Sequence, residues 1–463
     1  MNLITIRVAT RQFVPCIAEM LYKGLFLLKG VCKIQRRSDC VIRIPRGTQD
    51  ILPEDSSKWR YIENQLDELM KLYNYKEIRT PIFESTDLFA RGVGDSTDVV
   101  QKEMYTFKDK GDRSITLRPE GTAAVVRSYI ENKMQGIPNQ PVKLYYNGPM
   151  FRYERKQKGR YRQFTQFGVE AIGAENPSMD AEVLAMVMHI YESFGLKHLK
   201  LVINSIGDAD SRKEYNEALI RHFEPVIDTF CDDCKSRLHT NPMRILDCKI
   251  DRDKEAVKNA PRITDYLNDD SKAYFNEVKT HLDDLGISYV EDPNLVRGLD
   301  YYTHTAFELM MDNPNYDGAI TTLCGGGRYN GLLELLDGPN QTGIGFALSI
   351  ERLLLALEEE GIDLDVEDTF DLFIVTMGEE AERYSVKLLN QLRKSGIKAD
   401  KDYLQRKVKG QMKQADRLNA QYTVVIGDQE LENEVIDVKD MSTGETETIN
   451  LNNLVNYFQE KNN

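Results

Sequence analysis

Apolar residues recur at helical spacing through Trp59, Ile62, Leu66, Met70 and Tyr73, which predicts an amphipathic helix from Pro53 to Tyr75 with one core-facing stripe. Pro53-Glu-Asp-Ser reads as its N-terminal cap. The pattern changes at 144–154, LYYNGPMFRYE, and 161–172, YRQFTQFGVEAI, which are aromatic-rich and alternating and so predict strands. The basic loop Arg155-Lys-Gln-Lys-Gly159 joins them as an antiparallel hairpin; it is too charged to bury and projects into solvent.

Helical periodicity returns with more charge over 209–291, in EYNEALIRHFEPVIDTF and SKAYFNEVKTHLDDLG, between two blocks of strand and glycine chemistry. This stretch reads as a helical insertion. An acidic run from Glu358 to Asp368 separates an apolar helix from the strand-like Asp371-Leu-Phe-Ile-Val-Thr376, and marks a domain boundary. Beyond it, short apolar strands alternate with helices, which predicts a small α/β domain over 369–463 with mainly parallel pairing.

A chain of 463 residues fits two or three domains and excludes a lone small module. With 41% hydrophobic and 29% charged residues it has material for a core and for a soluble surface. Gly24–Val31, the best apolar run, is short and broken by Lys29, so a membrane span is disfavoured. The net charge of -14 means that nucleic acid must be met by local basic patches. Residues 1–40 hold seven of the 60 basic side chains and two of the 74 acidic ones, which leaves the remainder at -19. That basic head reads as a separate extension or as a mis-assigned start, with the folded part beginning at Val41. Seven cysteines make no dense disulfide framework and point to a reducing compartment, the cytoplasm.

Three constellations carry chemistry. Period-2 geometry puts Arg152 and Glu154 on one strand face, with Gln166, Gly168 and Glu170 on the next strand. They form a polar ligand site or one wet face of a sheet. In Leu295-Val-Arg-Gly-Leu-Asp-Tyr-Tyr302, Arg297 beside a glycine fits an anion site, or else an ion pair with Asp300; the two tyrosines point to opposite faces. The run Cys324-Gly-Gly-Gly-Arg-Tyr-Asn-Gly331 lacks the lysine of a phosphate-binding loop, and Arg352 is placed two turns into a helix starting near Gly345. Cys231-x-x-Cys234, with His239 and Cys248 downstream, lacks a matching second pair and reads as free thiols, with no metal assigned. No Ser/His/Asp or HExxH pattern occurs among the six histidines.

Taken together, IPRGTQDILP, TLRPEGT, FRYERKQKGRYRQFTQFGVE, LVRGLDYYT, GGGRYNGL and GIGFALSIERL resemble the bacterial-type histidyl-tRNA synthetases, class II aminoacyl-tRNA synthetases, over about residues 42–460. The resemblance implies an α+β fold. Its catalytic domain, 41–368, would be an antiparallel sheet flanked by helices with the insertion at 209–291, and 369–463 would bind the anticodon. It implies that L-histidine is activated with ATP and Mg2+ and transferred to tRNA-His. Arg152 resembles the arginine on the ATP α-phosphate and the substrate carboxylate, Arg352 the one at the γ-phosphate, and Arg160 a further nucleotide contact. Arg297 matches the catalytic arginine. Glu120, Gly121, Thr122 and Gln166 are similar to the amino-group pocket, and Glu170 and Tyr302, with Tyr301 beside them, to the imidazole readers. Arg155, Lys156, Gln157 and Lys158 would meet the acceptor stem, Gln157 near the extra 5′ guanosine. Arg406, Lys407, Lys409, Lys413 and Arg417 form a basic helix in the last domain, and Pro81 resembles the proline of a homodimer interface. The rival within the resemblance is the regulatory subunit of ATP phosphoribosyltransferase, whose kind lacks the anticodon-binding domain.

Overall fold

The computed structural model describes residues 42–95, 97–155, 157–312, 322–364, 366 and 370–461; the basic head and Lys156 lie outside the described residues. The described residues divide into two units with the boundary between Asp50 and Ile51. Within the first, Thr48 bonds back to the Pro45 carbonyl in a turn.

The first helix runs Pro53–Leu72 and buries Trp59, Ile62, Leu66, Leu69 and Met70. The predicted Pro53-Glu-Asp-Ser cap is corrected: the N-cap is Leu52, whose side chain has no acceptor, and Pro53 stands in the first turn, where its missing N–H costs nothing. It stops at Leu72, three residues short of the predicted end, where Asn74 turns left-handed (φ 61°). Eleven strands follow in this part of the chain: β1 Lys76–Glu77, β2 Phe83–Ser85, β3 Tyr105–Lys108, β4 Ser114–Leu117, β5 Val142–Phe151, β6 Gln163–Ile172, β7 Leu199–Ser205, β8 Tyr289–Glu291, β9 Thr303–Met311, β10 Thr322–Arg328 and β11 Gly343–Ser349. Among the described residues eight of them form one sheet, in the order β1-β5-β6-β11-β10-β9-β7-β8. Its six central strands are antiparallel and its two short edges are parallel to their neighbours. A separate antiparallel sheet, β2-β4-β3, leaves Phe83 and Phe107 exposed.

The alternation of β6 sorts the molecule into two layers. Phe167, Val169 and Ala171 enter a core shared with helices Pro53–Leu72, Pro177–Ser193, Asp269–Asp284 and Ile350–Glu359. The opposite face carries Gln166, Gly168 and Glu170 and is closed by helix Thr122–Glu131 and residues of 209–267. The stretch predicted as a helical insertion over 209–291 is corrected at its end, where Tyr289–Glu291 is strand β8 of the main sheet, and it is divided between layers: Phe275, Val278 and Leu282 of its last helix belong to the first core.

Helix Pro177–Ser193 is fastened by a buried ion pair. Arg328 grips Asp180, which also accepts from the Thr305 hydroxyl (2.6 Å) and the Tyr274 hydroxyl (3.1 Å), and neither charged side chain is exposed. Asp180→Ala is expected to cost about 3–5 kcal/mol by stranding the guanidinium. The midpoint of chemical denaturation checks it, read by Trp59, the single tryptophan, which lies in the adjoining core.

The C-terminal sheet has the order β13-β12-β14-β15-β16, with β12 Phe370–Thr376, β13 Ala399–Lys401, β14 Ala420–Ile426, β15 Val435–Asp440 and β16 Thr446–Asn450. Only β12 with β13 and β12 with β14 are parallel; β14–β15 and β15–β16 are antiparallel. The expectation of mainly parallel pairing fails at β15–β16, because the short turn after Asp440 can only return the chain antiparallel. Among the described residues no helix is long and apolar enough to cross a membrane.

Candidate active site

The polar face of β6 meets the start of helix Thr122–Glu131. Glu120 accepts the amide hydrogens of Thr122 (2.7 Å) and Ala123 (2.8 Å), satisfying donors that a helix N-terminus leaves open. Gln166 Oε1 accepts from the Gly121 amide (3.2 Å) and the Tyr146 hydroxyl (3.4 Å), and the Thr122 hydroxyl donates to Glu170 Oε1 (2.7 Å). Glu170 Oε2, buried, has no hydrogen-bond partner of ordinary geometry, and neither has the Tyr329 hydroxyl, which lies close enough to feel its charge. Burial first, then the Glu120 charge, pushes the Glu170 carboxyl up to about 8 against the pull of Thr122 and Tyr329.

Tyr301 and Tyr302 wall this pocket, and both are buried. They precede β9 rather than alternating along it, so their rings lie side by side at 4.7 Å instead of facing opposite ways; the expectation of opposite faces is corrected. Arg297 extends over the Tyr302 ring, 5.5 Å from its centre, and pairs with Glu308, not Asp300. Asp300 accepts from Asn241 instead (2.7 Å). Glu308 in turn takes the Thr322 hydroxyl (2.9 Å), while Arg297 Nε is buried without a partner.

Two strand glycines make room for these side chains. A Cβ at Gly325 would overlap the Arg297 guanidinium, and one at Gly345 would overlap the Glu170 carboxylate and the Val169 carbonyl. The glycines of β10 and β11 thus serve the protein's own charged groups.

A second cationic group stands at the mouth of the hairpin. Arg152 lies just past the end of β5, with Nε on the Pro119 carbonyl (2.8 Å) and its guanidinium against Phe164. Glu154 is shared between Arg160 (3.4 Å) and Arg152 (3.9 Å). Arg352 bonds the Thr322 carbonyl (2.7 Å). Contrary to the sequence reading, it stands in the first turn of its helix, which begins at Ile350, because Gly343–Ser349 is a strand paired on both edges. Burial, then the neighbouring Arg160, pushes the Arg352 guanidinium down. The three guanidiniums are thus grouped, with Glu154 paired to two of them and the Glu103, Glu120 and Glu351 carboxylates near enough to feel their charge.

Beyond them Arg155, Gln157 and Lys158 are exposed, with Lys158 reaching Glu359 (2.5 Å). In the last domain the predicted basic helix is shorter at its start: Lys409, Lys413 and Arg417 lie on helix Val408–Arg417, Lys407 is its N-cap, and Arg406 before it pairs with Asp402 (2.6 Å). Glu308, Tyr146 and Tyr329 were absent from the sequence-derived site. A glutamate inside the apolar strand THTAFELMM was the available signal for the first.

A family model of histidyl-tRNA synthetase matches residues 47–353 and one of an anticodon binding domain matches 371–461. The chain is 99% identical over 423 residues to the histidine–tRNA ligase of Staphylococcus haemolyticus, covering 91% of this chain and all of the relative. It is 85% identical over 420 residues to that of Staphylococcus aureus, again covering 91% of this chain and all of the relative. The crystal structure of apo S. aureus histidyl-tRNA synthetase superposes with a TM-score of 0.79 at 78% identity, covering 90% of this chain and 100% of that one. An ATP phosphoribosyltransferase regulatory subunit/histidyl-tRNA synthetase from Bacillus halodurans shares the fold at 22% identity, with a TM-score of 0.58 over 83% of this chain and 98% of that one.

Proposed function

The chain belongs to the histidyl-tRNA synthetase family, and from that premise we propose how its residues divide the work. It is a histidine–tRNA ligase, which activates L-histidine to histidyl-adenylate and passes the histidyl group to tRNA-His; the regulatory reading has no comparable support. The observation that supports the assignment of the ATP site is the convergence of the Arg152, Arg160 and Arg352 guanidiniums, close enough that Arg160 and Arg152 help push the buried Arg352 down.

In the first step a histidine carboxylate oxygen bonds to the α-phosphorus of ATP, the bond to the bridging oxygen breaks, and pyrophosphate leaves with that electron pair. Both reactants are anions, so fixed cations are the catalysts required and no general base takes part. Arg152 spans the α-phosphate and the attacking carboxylate, Arg297 faces the same centre from the loop before β9, Arg160 holds the nucleotide and Arg352 the γ-phosphate. Mg2+ enters as part of the substrate MgATP and neutralises phosphate oxygens. Glu120, Gly121, Thr122 and Gln166 receive the ammonium group. Glu170 and Tyr302, with Tyr301 beside them, read the imidazole; the buried Glu170 carboxyl, whose one hydrogen bond of ordinary geometry is from Thr122, supports that role, since a ring nitrogen supplies the partner Oε2 lacks.

The second step places the tRNA acceptor end over the loop of Arg155, Lys156, Gln157 and Lys158, with the anticodon on the 371–461 domain and its basic helix. We assign a homodimer formed around Pro81. Exposed Ile82, Phe83 and Phe107 support it, an apolar patch on an otherwise charged surface. The cytoplasm is the assigned compartment, consistent with the unbridged described cysteines.

The test is ATP/pyrophosphate exchange by the purified chain with each amino acid in turn. Exchange that depends on histidine alone, before any tRNA is added, is the expected result; a folded protein without it would overturn the assignment.

A further inference from the structure

Between β7 and β9 lies a side-chain cluster that aminoacylation does not use. Cys231 caps helix Asp232–Thr240 and Cys234 sits in its first turn, while Cys248 and Asp251 lie on the bend that follows the turn Pro242–Ile245. The three Sγ atoms and a carboxylate oxygen of Asp251 are all within 4.8 Å of one another; Cys234, Cys248 and Asp251 are buried and Cys231 partly so. Cys231 Sγ is 3.7 Å from Cys248 Sγ, which in turn is 3.7 Å from Asp251 Oδ2. A tetrahedral ion with metal–sulfur bonds of about 2.3 Å sets its sulfurs about 3.8 Å apart. A disulfide would bring them to about 2.05 Å.

The carboxylate is held for the same purpose. Lys254 takes Oδ1 (2.9 Å) and the Cys231 amide donates to Oδ2 (2.9 Å), which turns that oxygen toward the thiols. In sequence the set reads as Cys-x-x-Cys followed by Cys-x-x-Asp, two matched half-sites of which only the first is visible to a search for cysteine pairs. His239 does not belong to it.

We propose that Cys231, Cys234, Cys248 and Asp251 bind one zinc ion in a closed, four-coordinate structural site. Three soft sulfurs and one oxygen select zinc over magnesium or calcium, and four protein ligands, which leave no position for a reacting water, suit structure rather than catalysis. The N-terminus of helix Asp232–Thr240 and Lys254 offset part of the ligand charge. The ion would fix a segment that reaches the catalytic loop. From it Arg237 pairs with Asp98 (2.9 Å), Asn241 donates to Asp300 (2.7 Å) and Arg244 to the Arg297 carbonyl (3.4 Å). The four residues are thus positioning residues for the loop that carries Arg297.

The full chain, produced in zinc-supplemented cells and purified under reducing conditions without chelator, is expected to carry about one zinc per chain by elemental analysis. Exchange for cobalt should give the intense visible bands of a four-coordinate site with thiolate-to-cobalt charge transfer. Cys248→Ser should lose the metal, and Asp251→Cys should keep it. Where Cys248→Ser fails to fold, the zinc content and cobalt spectrum of the unaltered chain decide alone. Below about 0.1 zinc per chain with freely titrating thiols, a Cys231–Cys248 disulfide, or zinc retained in a folded Cys248→Ser chain would each overturn the proposal.

Discussion

Arg297→Ala, made together with Glu308→Gln, is expected to lower histidine-dependent ATP/pyrophosphate exchange by about 10²–10³-fold, the usual effect of removing one preorganised donor from a centre where anionic charge builds up. The second substitution matters because Glu308 is the partner of Arg297 and would otherwise be left as an unpaired, half-buried charge. Loss should appear in kcat more than in the KM for ATP, since the γ-phosphate end is assigned to Arg352 and those contacts remain. Steady-state exchange on the double variant checks this. Activity within threefold of the parent would remove Arg297 from the reacting centre.

The second large effect concerns Glu170. With its carboxyl near 8, the free protein carries a proton there at neutral pH, whereas free imidazole ionises near pH 6.5. The complex needs one proton shared between ring and carboxyl. Between about pH 6.5 and 8 that proton is already present on Glu170, and binding exchanges none. Below this window a second proton must leave, above it one must be taken up, and affinity falls up to about tenfold per pH unit at either side. Glu170→Gln is expected to raise the KM for histidine by about 10²–10³-fold and to abolish the alkaline limb. Histidine titrations from pH 5.5 to 9 on both proteins check it; an unchanged profile would refute the role. The same raised carboxyl makes the free protein lose stability as pH rises from about 4.5 towards 8, because the unfolded chain releases the proton first.

Periodicity made some of this legible and hid the rest for identifiable reasons. Gln166 and Glu170 share a face because strands alternate, and the pattern of 161–172 shows it. Gly343–Ser349 has neighbours on both edges and is almost wholly buried, so it reads as an unbroken apolar run that periodicity cannot separate from a helix; hence the misplaced start before Arg352. Glu308 is invisible as a partner because the Arg297 side chain reaches it over Gly325 of β10, a contact made by strand pairing rather than by spacing. The second half of the cysteine cluster escaped notice because an aspartate stands where a pattern search expects a sulfur.

Gly325 and Gly345 give the site a different kind of boundary. The outlines of the Arg297 and Glu170 seats are drawn by atoms that the chain does not have, so the reacting groups are located by subtraction. A positive list of contacts would assign these two positions no role. Yet the smallest possible addition at either, a single methyl group, competes for space with a charged group of the site. Tolerance to mutation should therefore be mapped here by free volume, with residues that have no side chain ranking beside the arginines and glutamates they accommodate.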